Sequence, residues 1–363
     1  MHTQSKFRLL VVRLGAMGDI LHALPAVTAL RQAHPRWVID WVVEPAWMAL
    51  LSARNGEAPA GRDQTQPLVD RVYGAATRAW GREPLSRRTT HQISILRRDL
   101  RAGEYEAVLD LQGAVRSALI ARISGARRRI GESKPREWAA RWLFSERVDT
   151  RGAHVIEQDV ELASVVARDA LTPVQPLLPV DPAAEAWCNA ITADSSKPIA
   201  LLNPGAGWGA KRWPVERYAA VAFALTGRGF SVLVNAGPSE EALAEEIRTQ
   251  SAGAAIPVTC SVGQLIALTR RVALMVAGDT GPLHLACALG RPVVGIYGPT
   301  DPARNGPFGT RFKVLRSPYS LRNHARRDAP ESGLLTIQPE DVLAAVDEVL
   351  APEAAERPPQ VAQ

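Results

Sequence analysis

Three glycine-containing turns hold the side chains best equipped for chemistry. "RLGAMGDILH" (13–22) joins two apolar runs and places Asp19 at the junction. "NPGAGWGAKRWP" (203–214) sets Gly205, Gly207 and Gly209 ahead of Lys211, and "GDTGPLHL" (278–285) sets Asp279, Thr280 and Gly281 ahead of Pro282 and His284. A carboxylate at a helix start stays ionised at neutral pH, which suits Asp19 to general-base work. Aspartate is equally a favoured N-cap, and taken alone that is the stronger reading of Asp19. His22, three residues on, reads as a polar neighbour rather than a catalyst. Lys211 supplies a positive charge in a loop that lets backbone approach a ligand closely, although a surface lysine is the simpler account of that residue alone. Thr280, Gly281 and Pro282 form an ordinary helix start, and the same geometry aims N–H groups at a phosphate. His284 is within reach of such a group, and a capping or packing histidine is nearly as good a reading of it. Asp279 beside a phosphate is electrostatically poor, so sugar hydroxyls suit it better.

The glycine spacing also excludes familiar readings. The first turn has Gly15 and Gly18 but Arg13 where a dinucleotide fingerprint needs its first glycine, so a dehydrogenase is a poor match even with Glu44 near the second strand's end. Ala210 separates Gly209 from Lys211, and Arg212 follows, so the second turn is no nucleotide-hydrolysing P-loop. No Asp-x-Asp occurs, no cluster has metal-ligand spacing, and no metal or cofactor is expected.

These turns need a scaffold, and the patterning supplies one. Short β-branched runs alternate with amphipathic stretches, as in parallel sheets covered by helices. The pattern predicts strands at 7–13, 37–43 and 105–111, with helices at 19–33, 113–124 and 155–169. Residues 53–90 are polar and too long for a plain connection, which marks them as functional or mobile. "LTPVQPLLPVDP" (171–182) has four prolines in twelve residues and reads as a linker. Strands at 198–204, 230–236, 272–278 and 291–298 then alternate with helices from Pro214 and at 239–249, 262–270 and 281–289, before a final helix "PEDVLAAVDEVL". The expectation is α/β: two doubly wound Rossmann-like domains facing a central cleft. They span 1–172 and 183–351, with a linker at 173–182 and a disordered tail at 352–363. Ligands in such sheets bind beyond the carboxyl ends of strands, which here means the turns at 14–19, 203–211, 236–240 and 278–284.

Composition narrows the partner. The chain has 363 residues and a formal charge of +6, and residues 1–175 carry 26 Lys/Arg against 19 Asp/Glu while the rest carries 17 against 18. A basic first half suits an anionic partner, or simply a solvated face. Aromatic-plus-basic RNA-binding signatures are missing, so nucleic acid is not expected. No apolar run approaches the roughly 20 residues of a membrane span, no signal peptide precedes the first strand, and three scattered cysteines form no framework. The chain reads as cytoplasmic.

Together, "RLGAMGDILHALPA", "NPGAGWGAKRWP" and "GDTGPLHLACALGRPVVGIYGPTDP" resemble the heptosyltransferases of lipopolysaccharide core synthesis. The likeness runs over about residues 7–350. "VDRVYGAATRAW" (69–80), "YEAVLDLQGAVRSA" (105–118) and the Arg136-Glu137 pair bring it nearest the heptosyltransferase I branch. The resemblance implies a GT-B fold and an inverting transfer of L-glycero-D-manno-heptose from ADP-heptose to the inner Kdo of Kdo-lipid A. It implies no metal, and peripheral contact with the cytoplasmic face of the inner membrane. It would make Asp19 the general base and Lys211, Thr280, Gly281 and His284 the diphosphate site. Asp279 would take the heptose hydroxyls, and Arg78, Arg82, Arg116 and Arg136 the acidic groups of the acceptor. Pro282 departs from an ideal anion site, having no N–H to offer. Heptosyltransferase II or a relative with another acceptor is the alternative, and a non-catalytic nucleotide-sugar-binding protein is the rival from outside the enzymes.

Overall fold

Strand-forming runs such as "RLLVV" and "IALLN" are apolar on both faces, which requires helices above and below. The structure, a computed structural model, describes residues 6–54, 62–193, 196–237, 240–321 and 328–352 and meets that requirement twice. The first unit runs β1 (Arg8–Val12), α1 (Met17–Ala33), β2 (Val38–Val43), β3 (Arg71–Gly74), α2 (Thr77–Arg82), α3 (Arg87–Ala102), β4 (Ala107–Asp110), α4 (Val115–Ile123), β5 (Arg128–Glu132), β6 (Glu146–Val148) and α5 (Val155–Ala167). The second runs α6 (Pro182–Thr192), β7 (Ile199–Asn203), α7 (Val215–Gly227), β8 (Ser231–Ala236), α8 (Glu241–Gln250), β9 (Ala255–Thr259), α9 (Val262–Thr269), β10 (Val272–Gly278), α10 (Gly281–Ala288), β11 (Val293–Tyr297), α11 (Pro302–Asn305), β12 (Phe312–Arg316) and α12 (Pro339–Leu350).

Both sheets are six-stranded, with orders β3-β2-β1-β4-β5-β6 and β12-β11-β10-β7-β8-β9, and all pairings are parallel. The strand order reverses between β1 and β4 and again between β7 and β10. Crevices open at such reversals, and the Asp19, Lys211 and Asp279 turns follow β1, β7 and β10.

The two units share apolar packing. One buried cluster runs from Leu9 and Val11 of β1 through Leu21 and Leu24 of α1 to Leu283 and Cys287 of α10. Helix α1 is apolar almost all round because it is enclosed by its own sheet, by α5 and by α10. The stretch 171–181 has no regular structure, and Pro182 opens α6 behind Asp181, whose carboxylate accepts from the Ala183 and Ala184 amides. The proline run thus ends one residue short of the expected linker.

Other boundaries differ from expectation for local reasons. Helix α1 begins at Met17, two residues early, so Asp19 is its third residue and Ala16 the cap. Asp19 nonetheless does capping work, because its carboxylate reaches back to the Ala16 N–H at 2.9 Å. The 53–90 segment holds β3, α2 and the start of α3, where a plain functional or mobile stretch was expected. Helix α3 buries only Thr89, Leu96 and Leu100 among arginines. Strands β3, β5, β6, β9 and β12 were not anticipated either; short and mostly half-exposed, they lack a strong apolar run. Ser239 and residues 353–363 of the expected tail lie outside the described residues.

Candidate active site

Asp19 emerges from the β1–α1 turn with defined partners. Its Oδ1 lies 3.3 Å from the Arg13 guanidinium, and Arg13 Nε donates to the Asp19 carbonyl at 3.1 Å. Arg13 is buried, whereas the Asp19 side chain is 37% exposed, so the carboxylate is anchored on one side and open on the other. That combination suits a group that must meet a hydroxyl. Behind it, Asp159 of α5 is buried, and burial pushes its carboxyl up to about 7 against the pull of Arg13, with the Asp19 charge adding to the rise.

On the opposite wall a line of polar groups runs across the interface. Lys211 ends a short 3₁₀ turn (Gly209–Lys211), and its Nζ lies 2.5 Å from Asp279 Oδ2. His284 Nε2 meets Asp279 Oδ1 at 3.2 Å, and His284 Nδ1 meets His22 Nε2 at 3.1 Å. Asp279 is an acceptor only, so His284 donates from Nε2 and accepts at Nδ1 from the His22 Nε2–H. The sequence reading left His22 as a bystander, yet it is the first unit's link to the second unit's charge cluster. Burial, then His284 and His154, pushes His22 well below the usual histidine range, which keeps it neutral. Burial alone would raise the Asp279 carboxyl, but the His284 hydrogen bond and the Lys211 ammonium outweigh it and hold the group well below the carboxylate range.

Close approach of the two units explains two glycines. A Cβ on Gly18 would stand 2.9 Å from the His284 ring, and one on Gly281 would stand 2.6 Å from Met17 Sδ. Thr280 is the N-cap of α10, its hydroxyl donating to the Gly278 carbonyl at 3.2 Å, and no side chain caps that helix. The first-turn amides of α10 therefore face the crevice without a side-chain acceptor.

Between these walls is a cavity of about 540 Å³ lined by Asp19, Arg78, Lys211, Asp279, Thr280, Gly281 and His284, among others. That volume fits a nucleotide-sized ligand. Of the four arginines singled out in the sequence, Arg78 lines it, while Arg82, Arg116 and Arg136 are exposed and lie outside its lining. Glu44 is buried and accepts from the Thr77 hydroxyl and the Arg78 amide, so it props α2 and is no ribose ligand. Asn203, Asn235 and Glu240 also line the cavity; the sequence singles out none of them, although Asn203 and Glu240 fall in the expected ligand turns 203–211 and 236–240. Asn235 donates to Asn203 Oδ1 at 2.6 Å, and Glu240 accepts from the Gly237 amide at 3.1 Å. Their signal was positional: each polar residue falls at or just beyond the carboxyl end of a strand.

Facing Rossmann-type sheets with a cavity between their carboxyl edges define a GT-B fold. The sequence profile of "Glycosyltransferase family 9 (heptosyltransferase)" matches residues 93–334, and the chain belongs to that family. It is similar to lipopolysaccharide heptosyltransferase 1 of Escherichia coli (strain K12), 29% identical over 316 residues covering 86% of this chain and 94% of that one. It is also similar to lipopolysaccharide heptosyltransferase 2 of the same strain, 26% identical over 96% of this chain and all of that one. Among solved structures, E. coli heptosyltransferase WaaC with ADP-2-deoxy-2-fluoro heptose matches with a TM-score of 0.76 and 25% identity, over 94% of this chain and 99% of that one.

Proposed function

We propose that this enzyme moves L-glycero-D-manno-heptose from ADP-heptose to the inner Kdo of Kdo-lipid A, with inversion. The observation that carries the reading is the meeting of Asp19 from one unit and Lys211 with the α10 start from the other in a single cavity. The bound ADP-heptose analogue in the similar E. coli structure supports the donor.

The donor's diphosphate lies between Lys211, His284 and the Thr280–Gly281 helix start. As the bond from the anomeric carbon to the diphosphate oxygen breaks, charge grows on the leaving ADP. The ammonium and the α10 amides stabilise it where it develops. From the other face, Asp19 takes the proton of the acceptor hydroxyl as its oxygen bonds to the anomeric carbon. One displacement inverts the centre, leaves ADP and protonates Asp19. Arg13 fixes the Asp19 carboxylate. Asp279 keeps lone pairs on both oxygens for the heptose hydroxyls while holding Lys211 and His284 in place. Glu240, at the nucleoside end, suits ribose hydroxyls. Arg78 meets acceptor acid groups inside the cavity, and Arg82, Arg116 and Arg136 meet those that extend beyond it.

Mass-spectrometric analysis of purified protein mixed with ADP-heptose and Kdo-lipid A is the test, with one added heptose expected. Transfer only to an already heptosylated acceptor makes the second-heptose reaction the right one. Donor binding without transfer to either acceptor makes the protein a nucleotide-sugar binder.

A further inference from the structure

Of nine tryptophans, seven are buried or half-buried, and the other two share one turn. Trp138 and Trp142 open and nearly close the 3₁₀ turn Trp138–Leu143 and are 59% and 69% exposed. Arg141 lies between them, its guanidinium 4.0 Å from the centre of the Trp138 ring and 5.4 Å from that of Trp142, and Arg147 approaches Trp142 at 5.8 Å. The turn is seated on α4 through Ala118, Ala140 and Phe144. On its outer side α4 exposes Arg116, Leu119 and Arg122 at a spacing of three, one face of a helix. The turn and the helix it packs on thus both expose apolar side chains, two indoles on one and a leucine on the other, together with guanidinium groups.

Charge is concentrated here as well. Residues 113–148 hold nine Lys/Arg against three Glu, a balance of +6 that equals the formal charge of the whole chain. The surface also adjoins the candidate site. Gln112 Oε1 accepts from the Leu14 and Gly15 amides of the Asp19 turn, and the Glu137 N–H donates to the Gly113 carbonyl at 2.9 Å. The tryptophan turn therefore begins on the sheet edge from which Asp19 projects.

We propose that this face docks on an anionic lipid bilayer. Exposed tryptophan has an apolar ring and a polar N–H, which favours the headgroup boundary. Arginines held among the rings pair with lipid phosphates and draw the protein to a negative surface. A second copy of the chain suits the face less, because a self-contact would set the +6 charge against itself. The inference deepens the function proposed above, for an acceptor anchored by acyl chains presents its sugar at that surface, beside the cavity.

The test uses the full chain and vesicles of phosphatidylglycerol with phosphatidylethanolamine, without acceptor, against vesicles of phosphatidylcholine alone. Co-sedimentation is expected with the anionic vesicles and falls as salt is raised. The double variant Trp138→Ser/Trp142→Ser loses about tenfold or more in vesicle affinity, with an unchanged melting curve, since both rings are exposed. Arg122→Glu, on the same α4 face, weakens binding without touching the turn. Wild-type protein left in the supernatant at low salt, or variants that bind as well as wild type, overturns the proposal. So does a dimer in solution that the double variant dissociates while wild-type vesicle binding is absent. Transfer to an O-deacylated, water-soluble acceptor is expected to be unaffected by the double variant; a loss there makes the turn a support of the site and overturns docking. If wild type transfers no heptose to any acceptor, the functional reading fails while the vesicle measurement still decides the docking surface.

Discussion

At the scale of single residues, the division of labour is between an open carboxylate and a held cation. Asp19→Asn keeps the oxygen that accepts from Ala16 and loses the basicity. It forfeits an ion pair between a buried guanidinium and a partly exposed carboxylate, while Arg13 Nε keeps its bond to the residue-19 carbonyl. Turnover is expected to fall by about 10²–10⁴-fold, with donor affinity by calorimetry unchanged; undiminished turnover removes Asp19 from the base role. Lys211→Ala leaves Asp279 buried with only His284 as charge-stabilising partner, so donor affinity and turnover fall together. Titration of ADP-heptose checks this, and wild-type affinity in the variant refutes the diphosphate contact. Asp19 and Lys211 were legible as candidates from their turns. His22 was not, because its partner is 262 positions away and no local pattern announces it.

At the scale of elements, the carboxyl ends of β1, β7 and β10 bring the three turns together, and the seat of α1 on α10 sets their spacing. Gly18 is the contact point. Gly18→Val places a side chain against the His284 ring, which cannot retreat because Asp279 and His22 hold it from both nitrogens. Overpacking of this kind costs about 1–3 kcal/mol. A lowered melting temperature and a larger loss of turnover than of ADP affinity are expected, since the proposed function assigns the nucleotide mainly to the second unit. A variant with wild-type melting and turnover shows that the seat has slack. Central strands and the helices α1, α5 and α10 were readable because they are strongly apolar. Edge strands β3 and β6 were not, since half-exposed backbone pairing leaves little imprint on side-chain pattern.

At the scale of the whole molecule, stability should follow its buried carboxyls. Burial raises Asp159 to about 7 and Asp110 to about 6, so the folded chain keeps protons that the unfolded chain releases near pH 4. Stability contributed by such a group is full below about pH 4 and is lost as pH rises toward the folded value. Asp159→Asn mimics the protonated form and escapes that loss, worth at most about 4 kcal/mol. The variant's melting temperature is expected to match wild type at pH 4 and to exceed it by several degrees at pH 8. Equal melting at both values shows that Asp159 is ionised in the fold at little cost.

The sequence by itself determined the class of fold, the family and the turns that carry the candidate site residues, because apolar runs and glycine spacing are local and repeat along the chain. Only the tertiary structure decided that Asp19 and Lys211 line one cavity, that His22 closes the line to Asp279, that Glu44 props α2 and that Arg82, Arg116 and Arg136 stand outside the cavity. Those facts depend on how two sheets, each complete in its own hydrogen bonding, meet across one apolar interface. Side-chain direction at such an interface is set by packing between residues far apart in the chain, and no stretch of sequence encodes it alone.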